Sequence, residues 1–142
     1  MLMNHSEIQQ LLPHREPILL IDTVSAMSPG HSISTATKVD GKWDIFRGHF
    51  PVTPILPGTY LTECMAQAAA LLLLSAEENK QKLPLLFQIQ QMRFVRPVYP
   101  DDSLITTAML TATPGNQFYE FSVTVTVDEK TVAFGSITLC LK

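Results

Sequence analysis

The stretch from Tyr60 to Glu78, YLTECMAQAAALLLLSAEE, constrains the fold of this chain more than any other. It is rich in Ala and Leu and poor in β-branched residues, so it forms helix readily. Its apolar character runs nearly all round rather than along one stripe, and a helix without a polar face must be surrounded. A bilayer is one possible surrounding, since the segment Ile55 to Ala76 is long enough to span it. That segment carries Pro57, Gly58, Glu63 and Gln67, however, which argue against a membrane span. The chain is therefore expected to bury one long helix, beginning near Gly58, inside the rest of its own fold.

Strands supply the enclosure. Ser32 to Val39 alternates in polarity after the turn signal Ser28-Pro29-Gly30, and Pro17 to Val24 is an apolar run of strand length. Beyond the helix, Leu85 to Val95 has Leu85, Phe87 and Ile89 at period two. Leu104 to Thr111, Phe118 to Val127 and Thr131 to Leu141 follow, separated by the turn-like YPDD, TPGN and DEK. The last two form a hairpin, with Phe121, Val123, Val125 and Val127 alternating on one strand and Ala133, Ile137, Leu139 and Leu141 on the other. A short helix is expected over Ser6 to Leu12, with Ser6 and Gln9 as a capping box and Pro13 as its stop. Gly41 to Pro57 is irregular because Pro51, Pro54 and Pro57 with Gly48 deny it regular structure. The pattern is α+β: an antiparallel sheet of five or six strands around one helix, a single domain over residues 1–142.

Composition closes off other classes. At 46% hydrophobic and 16% charged residues the chain can build a core, and its formal net charge of −3 offers no basic excess for nucleic acid. The two cysteines, Cys64 and Cys140, stand alone in apolar segments, so neither a zinc site nor a redox motif is expected. They read as buried thiols in a reducing compartment. MLMNHSEIQQ lacks the pattern of a signal peptide, and a cytoplasmic location is expected.

Few residues are placed for chemistry. Of four histidines, His5 in the N-terminus and His31 in a turn suit solvated roles. His14, just past the first helix, is expected to interact with that helix's last carbonyls. His49 lies in Gly48-His49-Phe50-Pro51, inside the irregular loop that leads into the long helix, where a side chain can face a pocket. Glu63 is a carboxylate on an otherwise apolar helix, costly to ionise there without a partner. Such a group suits a general acid; a partly exposed Glu near a helix N-terminus is an equally consistent reading. Gln67 lies four residues on, on the same face as Glu63, and can hydrogen-bond it. Pro57-Gly58 opens the helix, where the free Gly58 N–H can polarise a carbonyl or simply form a turn.

Together these residues carry a resemblance to a known family. Leu11-Leu12-Pro13-His14-Arg15, Pro17 and Leu19-Leu20-Ile21-Asp22 resemble the opening motif of the 3-hydroxyacyl-acyl-carrier-protein dehydratases, in particular the FabZ branch. Gly48-His49-Phe50-Pro51, Pro54, Pro57-Gly58, Glu63 and Ala66-Gln67-Ala68 resemble that family's active-site motif. Arg93-Phe94, Arg96-Pro97-Val98 and Pro100-Asp101 resemble a third block. The resemblance implies a hot-dog fold, the sheet wrapped around the helix, and a homodimer with continuous sheets, in some relatives a trimer of dimers. It implies that His49 faces Glu63 of the other subunit, and that the bond after His49 is cis. It also implies that neutral His49 takes the C2 proton while Glu63 protonates the departing C3 hydroxyl and the Gly58 N–H polarises the thioester. Phe50, Pro57 and Gln67 would line the substrate, and no metal or cofactor is implied. The partner would be acyl carrier protein, docked on Arg93 and Arg96, with Lys80 and Lys82 as further candidates.

Three departures from the family pattern stand out: Glu16 where an aromatic residue is usual, Val52-Thr53 in place of Gly-Asn, and Phe87-Gln88-Ile89 without a glycine. They point to a reshaped tunnel or gating loop and to a specialised relative, in a polyketide or secondary-metabolite pathway. Two rival readings remain, a hot-dog acyl thioesterase and a non-catalytic acyl-binding module. The first usually lacks the Gly-His-Phe-Pro loop, and the second has no use for both His49 and Glu63.

Overall fold

The computed structural model describes all residues from Met1 to Lys142. Helix α1 spans His5–Leu11, and strands β1 (Thr23–Ser28) and β2 (Ser32–Lys38) follow. A single 3-10 turn at Asp44–Arg47 interrupts the irregular loop before α2, Gly58–Leu74. After a second 3-10 turn come β3 (Pro84–Phe94), β4 (Ser103–Gly115), β5 (Phe118–Val127) and β6 (Lys130–Leu141). The six strands form one antiparallel sheet in the order β1-β2-β4-β5-β6-β3.

This is the expected α+β arrangement, with the sheet curled around α2, a hot-dog fold. Alternation aims one face of each central strand at the helix. Ile33, Thr35 and Thr37 of β2, Leu104, Thr106 and Ala108 of β4, and Phe121, Val123 and Val125 of β5 are all buried, and α2 packs against β2, β4, β5 and β6. From Leu61 to Leu74 every residue of α2 is buried except Glu63. That one exception lies on the side of the helix turned toward the N-terminal segment. No helix is long and apolar enough to cross a membrane.

Four local expectations are corrected. The capping box of α1 is Asn4 with Glu7, not Ser6 with Gln9: the Glu7 N–H donates to Asn4 Oδ1 at 2.9 Å and the Asn4 N–H to Glu7 Oε1 at 3.0 Å. Asn caps better than Ser6 can from inside the first turn. His5 therefore opens a helix rather than a solvated tail, and its Nδ1 lies 3.2 Å from the Ile21 carbonyl. Pro17 to Asp22 is not a strand. The chain turns at Glu16–Ile18 with a cis Glu16–Pro17 bond, and Leu19, Leu20 and Ile21 are buried as coil before β1 begins at Thr23. An apolar run marks burial, and only a ladder partner would make it a strand.

The fourth concerns β3. Its period-two residues do not define a core face, because Leu85, Leu86, Phe87 and Ile89 are all exposed. Bulges between Leu86 and Gln88 and between Gln90 and Arg93 break its register against β6, and Gln91 takes φ 52°. The second bulge presses the Met92 backbone onto β6, within 2.8 Å of where a Cβ on Gly135 would stand. Only glycine fits there.

Candidate active site

The loop before α2 is built to hold one imidazole. The 3-10 turn ends at Gly48, and the His49 N–H donates to the Ile45 carbonyl at 3.1 Å. The His49–Phe50 bond is cis, as expected. Beyond it, the Phe50 N–H donates to the Thr53 carbonyl (3.1 Å) and the Ile55 N–H to the His49 carbonyl (3.0 Å), closing a tight loop over the prolines. The Leu56 N–H ties this loop to the Val98 carbonyl at 2.8 Å.

Within that frame the His49 Nδ1 lies 2.7 Å from the Ile55 carbonyl oxygen. A carbonyl only accepts, so Nδ1 carries the proton and Nε2 holds a free lone pair. The Phe50 ring stacks on the imidazole with centroids 4.0 Å apart, fixing its plane. His49 is thus set as a neutral acceptor with a defined reacting nitrogen. It faces a cavity of about 280 Å³ shared with Ile55, Leu56, Gly58, Leu61, Phe94 and Val98.

Gly58 lines the same cavity from the first turn of α2. Pro57 is its N-cap and supplies no side-chain hydrogen bond. The Gly58 N–H meets no acceptor within the chain, so a donor at the positive end of the helix is left unpaired on a residue that lines the cavity. A Cβ at this position would stand 3.1 Å from the Phe94 ring. Glycine is what allows both the ring and an incoming group to come close.

Glu63 lies elsewhere. Within one chain it forms no ion pair with His49 and does not line the His49 cavity. Its side chain is 29% exposed and sits 3.8 Å from His14, Oε2 to Nε2. The Gln67 amide holds the same oxygen, donating from Nε2 to Glu63 Oε2 at 2.8 Å. Gln67 is fully buried and also donates to the Ile18 carbonyl (2.6 Å) while its Oε1 accepts from the Leu20 N–H (2.9 Å). It pins both the carboxylate and the coil that precedes β1.

His14 is the residue that sequence reasoning misplaced. It does not serve the carbonyls of α1. Arg15 does so instead, donating to the carbonyls of Leu12 (2.9 Å) and Gln9 (2.9 Å) with its longer reach. Burial pushes the His14 imidazole below its usual range, and the neighbouring Glu63 carboxylate pulls it partly back up. The available signal was Pro13, which ends α1 and turns the next side chain away from the helix axis.

A match to the FabA-like domain family covers residues 12–136. The chain belongs to the FabA-like family. Among curated relatives, the 3-hydroxyacyl-[acyl-carrier-protein] dehydratase FabZ of Polynucleobacter asymbioticus is 39% identical over 136 residues, spanning 96% of this chain and 91% of that one. The FabZ of Staphylococcus aureus is 38% identical over 112 residues, spanning 79% and 77%. Two solved structures share the fold at lower identity. The dehydratase heterocomplex ApeI:P from Xenorhabdus doucetiae has a TM-score of 0.78 at 18% identity, over 95% of this chain and 90% of that one. A hypothetical thioesterase with coenzyme A from Streptococcus pneumoniae has a TM-score of 0.64 at 17% identity, over 84% of each chain.

Against that FabA-like frame, the remaining expected residues fall into place unevenly. Phe50 and Pro57 flank the His49 cavity, whereas Gln67 is sealed in the core on the Glu63 side. Arg93 and Arg96 are exposed and form no ion pair, and Arg96 also lines the cavity. Lys80 is paired with Glu77 at 2.9 Å and the Lys82 Nζ donates to Asn79 at 3.3 Å, so neither lysine is left open in the same way. All three departures from the family pattern lie off the His49 cavity. Val52 is 93% exposed at the loop tip, and Glu16 lines a separate groove with Asp22, Lys38 and Tyr60. Phe87 sits on the first β3 bulge, its ring edge-on to Phe118 at 4.8 Å.

Proposed function

We propose that this chain is a dehydratase of 3-hydroxyacyl groups carried on acyl carrier protein, releasing a trans-2-enoyl thioester and water in fatty-acid or related polyketide biosynthesis in the cytoplasm. The observation that carries this reading is the His49 ring itself. Its Nδ1–H is committed to the Ile55 carbonyl, which leaves Nε2 as the base in a cavity that also receives the unpaired Gly58 N–H.

The chemistry follows from those two groups and one acid. The thioester carbonyl accepts the Gly58 N–H, which stabilises the negative charge that builds on its oxygen as the C2 proton leaves. That proton goes to His49 Nε2. The electron pair forms the C2–C3 double bond, the C3–O bond breaks, and Glu63 gives the hydroxyl the proton it needs to leave as water. His49 ends protonated and Glu63 ends as a carboxylate; returning one proton resets both.

Because His49 and Glu63 do not meet within one chain, the site is shared between two subunits. The free edge of β3 supports this arrangement. It is a terminal strand with apolar residues on both faces, and Phe94 and Val95 at its end line the His49 cavity. A second copy pairing along that edge would extend the sheet and cover the cavity, and three such dimers would give a hexamer. Arg93 and Arg96, unpaired beside the cavity, receive the acidic carrier.

The test is incubation with 3-hydroxybutyryl-carrier protein, following enoyl thioester absorbance and free thiol together. Enoyl formation without thiol release is expected. Thiol release would make the chain a thioesterase, and no reaction would leave a binding module.

A further inference from the structure

Glu63 has two oxygens, and the chain treats them differently. The Gln67 amide cannot be turned round, because one side of it accepts from the Leu20 N–H and the other donates to the Ile18 carbonyl. Its second N–H therefore has a fixed direction and points at Glu63 Oε2. His14 approaches the same oxygen, Nε2 to Oε2 at 3.8 Å.

The other His14 nitrogen, Nδ1, is buried with no hydrogen-bond partner. An unpartnered N–H is costlier to bury than an unpartnered lone pair. The proton of neutral His14 accordingly sits on Nε2 and faces Glu63. The Gln67 amide thus hydrogen-bonds Oε2, the His14 Nε2–H faces the same oxygen from 3.8 Å, beyond hydrogen-bond length, and Oε1 has neither group beside it.

We propose that His14 is a positioning residue for Glu63: its Nε2–H dipole faces Oε2, the oxygen that the Gln67 amide holds as an acceptor, and favours negative charge there, so that the proton Glu63 delivers is carried on Oε1. This rests on the dehydratase reading and adds to it which oxygen reacts and which residue of the same chain orients it. The leaving hydroxyl takes its proton from Oε1 as the C3–O bond breaks, and Oε2 stays on the Gln67 amide with His14 facing it. Glu63 is the charged group that acts on His14. The adjoining Arg15 turns away onto the carbonyls of Gln9, Leu12 and His14.

Two measurements test this, one of them independent of turnover. Nitrogen-15 NMR of the histidine side chains should show His14 protonated on Nε2. Its titration midpoint should fall further in Glu63→Gln, because the carboxylate that pulls it upward is gone. An Nδ1–H tautomer, or a midpoint that Glu63→Gln leaves in place, overturns the proposal even in a chain with no dehydratase activity.

The second measurement compares two substitutions. His14→Gln restores a side-chain donor and should keep kcat within about threefold of the native value, while His14→Leu should lower kcat about tenfold with KM moved less than about twofold. Equal kcat in His14→Leu and the native enzyme, or equal losses in the two variants, overturns it. Loss of all activity in the native chain with the NMR result intact would instead count against the dehydratase reading alone.

Discussion

Helix α2 and strand β3 are both apolar, and one chain treats them in opposite ways. The sheet closes over α2 until Glu63 alone is left partly open between Leu61 and Leu74. On β3 no residue is fully buried, and Leu85, Phe87, Ile89 and Phe94 face solvent. Both segments carry enough hydrophobic surface to drive association. The difference is who covers them. What α2 buries is the core of the subunit, and what β3 leaves open is the surface that we propose pairs with a second copy. The candidate site divides along the same line: Glu63 belongs to the enclosed helix, while the wall of the His49 cavity ends in Phe94 and Val95 beside the open strand.

The largest effect tests that division directly. His49→Ala and Glu63→Ala should each lower kcat by about 10²- to 10⁴-fold, the usual contribution of a positioned acid or base. Mixed after denaturation and refolding, the two variants should recover about one quarter of native activity, since half the dimers of a two-fold assembly are then mixed and each keeps one intact site. Demonstrated heterodimers that stay as inactive as the parents would remove the shared site and make β3 an edge without a catalytic purpose.

A smaller effect separates the two apolar segments by what they stabilise. Leu71, fully buried on α2, should cost about 2–5 kcal/mol when changed to Ala, read as a fall in the unfolding midpoint. Ile89, 48% exposed on β3, should change subunit stability by no more than about 0.5 kcal/mol when replaced by Lys. That same Ile89→Lys change should release monomers on size-exclusion chromatography and remove activity with them. An Ile89→Lys protein that stays oligomeric would show that another surface joins the subunits.

The same contrast explains what was legible in the sequence. The α2 segment was legible because its Ala- and Leu-rich composition and its lack of a polar face both point to one answer. The His49 loop was legible because Pro51, Pro54 and Pro57 leave its backbone few alternatives. β3 was read as a strand but not as an exposed edge, since period-two alternation says nothing about which neighbour covers a face. Pro17 to Asp22 was misread for a related reason: its backbone is pinned by the side chain of Gln67, a contact between residues 47 and 49 positions apart. His14 was misplaced because its role depends on that coil folding back over α2. Local pattern reports local structure, and a side chain reaching across the fold leaves no period to read.

The smallest effect belongs to the enclosed side of the comparison. Cys64 neighbours Glu63 on α2 but is buried, and burial pushes its thiol up to about 12 from an ordinary 9.0. In the unfolded chain the same thiol ionises at its ordinary value. The native state therefore binds more protons than the unfolded state between those two pH values, and stability falls as pH rises through that window. Other alkaline groups lose stability there too, so the useful quantity is the difference between the native chain and Cys64→Ala. Below pH 9.0 the native chain should melt higher, because Ala leaves a gap where the sulfur packed. Raising the pH toward about 12 should shrink that advantage steadily, since only the native chain carries the titrating thiol. Paired melting curves that keep a constant separation across the window would mean that water reaches Cys64. The closed face of α2 would then be less different from the open face of β3 than its packing implies.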